Sequence, residues 1–295
     1  MTRFRHSLRS PDARRERRQF ITHNLIAAAG TWLAGVLGLL LQALVSHHFH
    51  PAVYGQVFTV FSFYMLLTQP AGAFSRLVAW STSRELATTP GRDGESSALL
   101  RSADRGLLAF GAVLAIACIV LAPGLAGYLH VPAQYVILGA LGVPFLFSSS
   151  PLVASLQGEQ RWVPWAAMNV AMAVSRVIFV VIFGLLLSPP GVLLGISVAA
   201  ATLYATALAT VWSRLTRGRR PISWRPYWRF LVLSLASTLA VTMLMGSDVI
   251  LVEHFFGGAR GGQFSAVTVT CRALFFAMGS VTFVLFPKVA ARHAS

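Results

Sequence analysis

The 295-residue chain is 56% hydrophobic and only 11% charged, with a mean hydropathy of +0.67. Roughly a quarter of an ordinary soluble domain is charged, and a single soluble core could not hide this much apolar surface, so a soluble enzyme, a secreted module and a nucleic-acid-binding domain are excluded. The formal charge of +15, from 24 Lys+Arg against 9 Asp+Glu, lies between long apolar runs, the distribution of a multi-spanning membrane protein.

A spanning helix needs ~20 mainly apolar residues. Eight stretches qualify: residues 20–46, 55–80, 106–129, 135–157, 163–187, 192–212, 230–256 and 263–286. The predicted fold class is all-α and membrane-integral. A basic segment 1–19 precedes six spans over 20–212. A basic loop 213–229 then leads to two further spans over 230–295. The first apolar run is too long for a signal peptide and lacks a small-residue cleavage site.

Residues 1–19 carry seven Arg, read as a topology anchor that attracts anionic lipid. The first opposite loop, 47–54, holds His47, His48 and His50, and His130 and His254 lie on the same side. A metal or pH-sensing cluster is one reading and plain loop histidines the other. Pro70 and Gly72 interrupt span 2, and Arg76 near its end can snorkel. Pro144 and Pro151, with Ser148–Ser150, interrupt span 4. Broken helices line transporter cavities, or simply kink to pack.

Arg176 lies about 13 residues into span 5, near the midplane at ~1.5 Å per residue. Asn169, Met172, Ala173 and Arg176 share one helical face by their spacing, and such a stripe would line a cavity. No acid is evident at matching depth in spans 1–6. In span 7, Asp248 lies about eight residues from the end; in span 8, Arg272 lies about nine residues in. The two are at similar depth, and either neutralise each other or face a cavity with Asp248 as ion ligand. Glu253 is expected to be solvated at the interface. An ionisable group at this depth costs several kcal/mol unless partnered, so each is a functional candidate.

Counted by side, residues 1–19, 81–105, 158–162, 213–229 and the C-terminal tail hold 20 cations, whereas the opposite loops hold only Arg260. The positive-inside rule places both termini in the cytoplasm. Tryptophans 162, 165, 224 and 228, with Tyr227, form an interfacial belt. The two cysteines, Cys118 and Cys271, fall in apolar runs and build neither a disulfide framework nor a zinc site.

Residues 44–59 and 251–266 match at seven of sixteen positions without a gap, at an offset of 207, including Gly55/Gly262 and Gln56/Gln263. Both segments run from a helix through a short loop into the next helix. Six spans separate the copies, so they share one orientation, as in a parallel repeat about the membrane normal. Spans 1–6 are then one lobe and spans 7–8 begin a second. On that reading the sequence is a piece of a product of roughly 400 residues or more.

There is no Walker A stretch, nucleophile elbow or His-Glu-x-x-His, and no loop large enough for an acceptor site. An enzyme is not expected, nor a metal centre or nucleic-acid partner.

Three short segments carry a family resemblance: His50-Pro-Ala-Val-Tyr-Gly-Gln-Val-Phe58, Leu156-Gln-Gly-Glu-Gln-Arg161, and Ser247-Asp-Val-Ile-Leu-Val252 with Phe286-Pro287 closing span 8. They resemble the polysaccharide-biosynthesis, O-antigen-type flippases of the multidrug/oligosaccharidyl-lipid/polysaccharide (MOP, MATE-like) exporter superfamily. The resemblance implies two six-helix lobes around a cationic cavity, alternating access, and a bacterial inner (plasma) membrane. The cargo implied is an undecaprenyl-pyrophosphate-linked oligosaccharide, with polysaccharide polymerase machinery as a partner. It also implies headgroup contacts from Arg272, with Asp248 in the place of a cation ligand. No cofactor is implied, and a coupling cation is left open. The residue chemistry fits independently, because Arg offers bidentate donors to phosphate oxygens. Arg176, Arg272 and Asn169 are therefore the candidate substrate-binding residues and Asp248 the candidate ion or charge partner. The alternatives are a multidrug or cation exporter of the same superfamily, or a non-transporting scaffold for polysaccharide assembly.

Overall fold

The computed structural model describes residues 11–88, 94–217, 222–256, 259–268 and 271. Among them every regular element is helical. The order is α1 (Pro11–His48), α2 (Pro51–Thr68), α3 (Pro70–Thr88), α4 (Glu95–Val120), α5 (Ala122–Leu129), α6 (Ala133–Ala140), α7 (Val143–Gly158), α8 (Trp162–Leu187), α9 (Pro189–Arg217) and α10 (Trp228–Phe256). A 3-10 turn covers Arg225–Tyr227, and residues 259–268 are again helical. Among the described residues seven segments are long and apolar enough to cross a membrane. The last expected span, 263–286, lies mostly outside the described residues.

Backbone chemistry sets the breaks. Pro70 has no N–H to continue α2, so the chain steps at Gln69, whose N–H reaches Leu66 O at 3.2 Å. Span 2 is thus α2 plus α3. Span 4 is α6 plus α7, broken at Leu141–Gly142 with Pro144 in the first turn of α7. Pro151, by contrast, sits inside α7 without ending it. The break leaves α6 carbonyls without helical donors. The Ser197 hydroxyl of α9 donates to Leu138 O at 2.7 Å, and the Tyr64 hydroxyl of α2 donates to Val136 O at 2.6 Å. Gly142 permits this approach: a Cβ there would lie 2.9 Å from Ser197 Oγ and 3.0 Å from its Cα.

The loop read over residues 81–105 is largely helix. α3 runs to Thr88 and α4 begins at Glu95. Both helices extend past the apolar window, because Arg, Glu, Leu and Ala favour a helix and Ser and Thr oppose it only weakly.

Packing follows membrane rules, in which close backbone approach and not apolar burial holds helices together. The inward stripe of α9 is mostly small: Ala199, Ala200, Leu203, Ala207 and Val211 are all buried. α9 lies along α8, α8 along α1, α7 against α3 and α4, and α10 against α2 and α3. Apolar side chains face outward in quantity. Ile178, Leu185 and Leu186 of α8 are 48%, 69% and 72% exposed. In water such a surface would aggregate; in a bilayer it is the solvated face. Two buried clusters fill the interior: one around Phe58, Tyr64, Leu129, Tyr135 and Phe147, the other around Leu77, Leu99, Leu156, Trp162 and Tyr227 at the Arg-rich end.

Candidate functional site

Arg176 turns from α8 into the bundle. Its guanidinium carbon lies 5.9 Å from the centre of the Phe61 ring of α2. The small cavity it lines, about 20 Å³, is walled by Phe61, Tyr64, Gly139, Gly142 and Ser197. That is room for about one water. Among the described residues no carboxylate is ion-paired with Arg176. A cation over an aromatic face is worth ~0.5–2 kcal/mol, depending on desolvation. That is less than a paired charge would gain, so the guanidinium keeps its donors available.

Asn169 is on the same face of α8, two turns away, but does not line this cavity. Its side-chain amide donates to Trp165 O of its own helix at 2.9 Å. Asp248 of α10 is half-buried, and its Oδ1 accepts the N–H of Val249 at 2.8 Å. Arg272, its expected partner, lies outside the described residues. The structure therefore places Arg176 at a small cavity, Asn169 two turns away on the same helix and Asp248 on α10.

No family model matches this chain, and no curated protein matches it. Solved structures do. One is the MATE multidrug transporter DinF-BH, solved as a complex, with a TM-score of 0.77 at 16% identity over 94% of this chain and 66% of that one. "Crystal structure of eukaryotic MATE transporter AtDTX14" gives 0.68 at 14%, over 95% and 66%. An outward-facing multidrug resistance MATE family transporter of the MOP superfamily gives 0.63 at 13%, over 92% and 68%. The fold is MATE-like. The chain spans about two thirds of the length of these structures.

Within this MATE-like frame two carboxylates depart from expectation. Asp104, which the loop reading set outside the spans, is buried on α4. The Ser148 hydroxyl of α7 donates to its Oδ1 and lies 3.1 Å from its carbonyl oxygen. The Tyr204 hydroxyl of α9 faces the same group. The signal was present in the sequence, since Ser97, Leu100, Asp104, Leu107 and Gly111 share one helical face. Glu253 corrects a second expectation: it is 1% exposed, not solvated. The room comes from glycine. A Cβ on Gly261 would lie 1.9 Å from Glu253 Oε2, and one on Gly55 would lie 3.2 Å from it.

At the Arg-rich end the charges pair. Arg214 of α9 meets Glu159 at 2.6 Å and donates to Ser96 Oγ at 2.9 Å, while Arg161 reaches Glu159 at 3.4 Å. The Tyr227 hydroxyl donates to Glu95. Ser96, Glu159, Arg161 and Arg214 border a cleft of about 350 Å³, and these contacts tie α4, the α7–α8 turn, α9 and the 3-10 turn before α10 together.

Proposed function

We propose that this protein is a flippase for an anionic, lipid-linked cargo: an undecaprenyl-pyrophosphate-linked oligosaccharide repeat unit, moved outward by alternating access during polysaccharide biosynthesis. Its place is a bacterial inner membrane, with the Arg-rich end in the cytoplasm. The observation that carries this reading is Arg176. A guanidinium within the spans, resting on Phe61 and ion-paired to no described carboxylate, suits a cargo that brings its own negative charge. A pyrophosphate does so, with oxygens matched to the fork of donors. Arg272 supplies a second headgroup contact on this reading, Asn169 a polar step along α8, and Asp248 a partner or ion ligand. Polysaccharide polymerase machinery is the partner that would consume the product.

A multidrug or cation exporter is the second reading. The observation favouring it is the pair of buried carboxylates, Asp104 and Glu253, which suit a cationic cargo.

One binding experiment separates them. The chain in lipid nanodiscs is titrated with undecaprenyl pyrophosphate and, separately, with a cationic rhodamine dye. The flippase reading expects the lipid to bind and Arg176→Ala to weaken it ten- to a hundredfold, the worth of ~1.5–3 kcal/mol for a hydrogen bond to a charged group. Dye binding that survives Arg176→Ala, with no lipid binding, establishes the exporter instead.

A further inference from the structure

We propose that Asp104 is a proton-binding site, a carboxyl that takes up and releases a proton while clamped between three helices. The geometry that points to it is the convergence of α4, α7 and α9 on one buried acid. Asp104 is 7% exposed, Ser148 is fully buried, and among the described residues the direct donors to the carboxylate are the Ser148 and Tyr204 hydroxyls. Among the same residues no Arg, Lys or His is ion-paired with it. The one cation acting on it is the exposed Arg105 of its own helix, without an ion pair; burying a carboxylate on those terms is costly, and hydroxyls repay only part of that cost.

The site has a mechanism for either protonation state. With the carboxylate charged, both hydroxyls give it their protons. When a proton arrives from water it forms an O–H on Asp104, and that O–H needs an acceptor. Ser148 Oγ lies 3.1 Å from the Asp104 backbone carbonyl, so its hydroxyl can swing its own proton there. The lone pair thus freed accepts the carboxyl proton. The charge changes by one, no other group ionises, and the hold of α7 on α4 changes from a bond to a carboxylate into one from an acid. Charge-assisted bonds are roughly twice as strong as neutral ones, so one strong bond between α7 and α4 is exchanged for two weaker ones on protonation.

Access runs toward the Arg-rich end. Ser97 lies two turns before Asp104 on α4, and Ser155 lies two turns after Ser148 on α7. Both are fully buried hydroxyls on the same faces, about 10 Å nearer the cleft that Ser96, Glu159 and Arg214 border. The charged and titratable groups around Asp104 are few. α9 brings Tyr204, and Arg214 farther down. α7 brings hydroxyls, with Glu159 beyond its end. α3 brings Arg84 and Glu85 near the start of α4. On α4 itself Arg101 and Arg105 flank the acid, and Arg105 is exposed. α5 and α6 pack toward the other end of α4, where Tyr128 and Tyr135 lie.

The test needs no cargo. Infrared spectra of the chain in lipid nanodiscs are recorded across pH for wild type, Asp104→Asn and Tyr204→Phe. The expected result is a protonated-carboxyl band that fades as pH rises and is missing in Asp104→Asn. Tyr204→Phe removes one donor to the charged form and should strengthen proton binding roughly tenfold. Should Asp104→Asn fail to fold, the Tyr204→Phe displacement of the same band decides. A wild-type spectrum without a band that Asp104→Asn removes, or a titration unmoved by Tyr204→Phe, overturns the proposal. Either result leaves the flippase reading untouched, since that rests on Arg176.

Discussion

Glu85 shows what a single side chain does at the Arg-rich end. Burial pushes its carboxyl up, but hydrogen bonds from the Ser96 side chain and from the backbone N–H groups of Ser96, Glu95 and Gly94 outweigh this and hold it below its ordinary value. Those backbone bonds are 2.8, 3.2 and 2.9 Å long. Glu85 on α3 therefore caps the first turn of α4, whose own flanking residue, Gly94, has no side chain to do so. A depressed folded value means the stabilisation is present above the ordinary carboxylate range and is lost as pH falls through the folded value. The protection factors of the Gly94–Ser96 amides, exchange rates corrected for the intrinsic pH dependence, should be high at neutral pH and fall on acidification below pH ~4. Glu85→Gln should show the lowered protection already at pH 7, with a loss of about 1 kcal/mol in stability; unchanged protection there would remove the cap from the account. Arg176, Asp104 and Glu253 make a different point. Their types were plain in the sequence, but their surroundings were not: Phe61, Ser148 and Gly55 lie 115, 44 and 198 residues away from them respectively.

Elements were more legible than sites. The spans follow from runs of apolar residues, and both interrupted spans follow from proline chemistry that acts locally. Pro70 and Pro144 mark real breaks, while Pro151 only rides within α7. What periodicity could not show is where helices continue into water, hence the helical 95–105 segment and its buried acid. Helix contacts then rest on small residues, and glycine positions differ in kind. At Gly142 a side chain would collide with Ser197 of α9, whereas a Cβ on Gly106 of α4 would meet nothing within 4 Å. Gly142→Val should cost about 1–3 kcal/mol through overpacking. Gly106→Ala should be neutral or stabilising by about 0.5–1 kcal/mol, because it removes helix-interior glycine. Thermal unfolding in detergent of the two variants checks the contrast, and equal melting temperatures would refute it.

At the scale of the whole molecule, cation asymmetry predicts an orientation. An impermeant maleimide should label Ala133→Cys in intact cells and Ser223→Cys only in inverted vesicles, in a background with Cys118 and Cys271 replaced. The reverse pattern would invert the protein and put the Arg214–Glu159 brace on the outer face. The matched positions 55 and 262 also meet. A Cβ on Gly55 would lie 2.9 Å from Gly262 N, and one on Gly262 would lie 2.0 Å from Pro51 O. At both positions glycine is what allows the two segments to approach so closely.

The sequence by itself determined membrane residence, the number and breaks of the spans within the described residues, and the all-helical class, because length, hydropathy and proline act locally along the chain. Only the tertiary structure decided which polar groups meet. Burial of Asp104 among hydroxyls, Arg176 on Phe61, and Glu253 in a glycine gap all depend on contacts between distant segments. Along a helix a charge facing lipid, a neighbour or a cavity is written with the same letter, and the environment that gives it chemistry is supplied by another part of the chain.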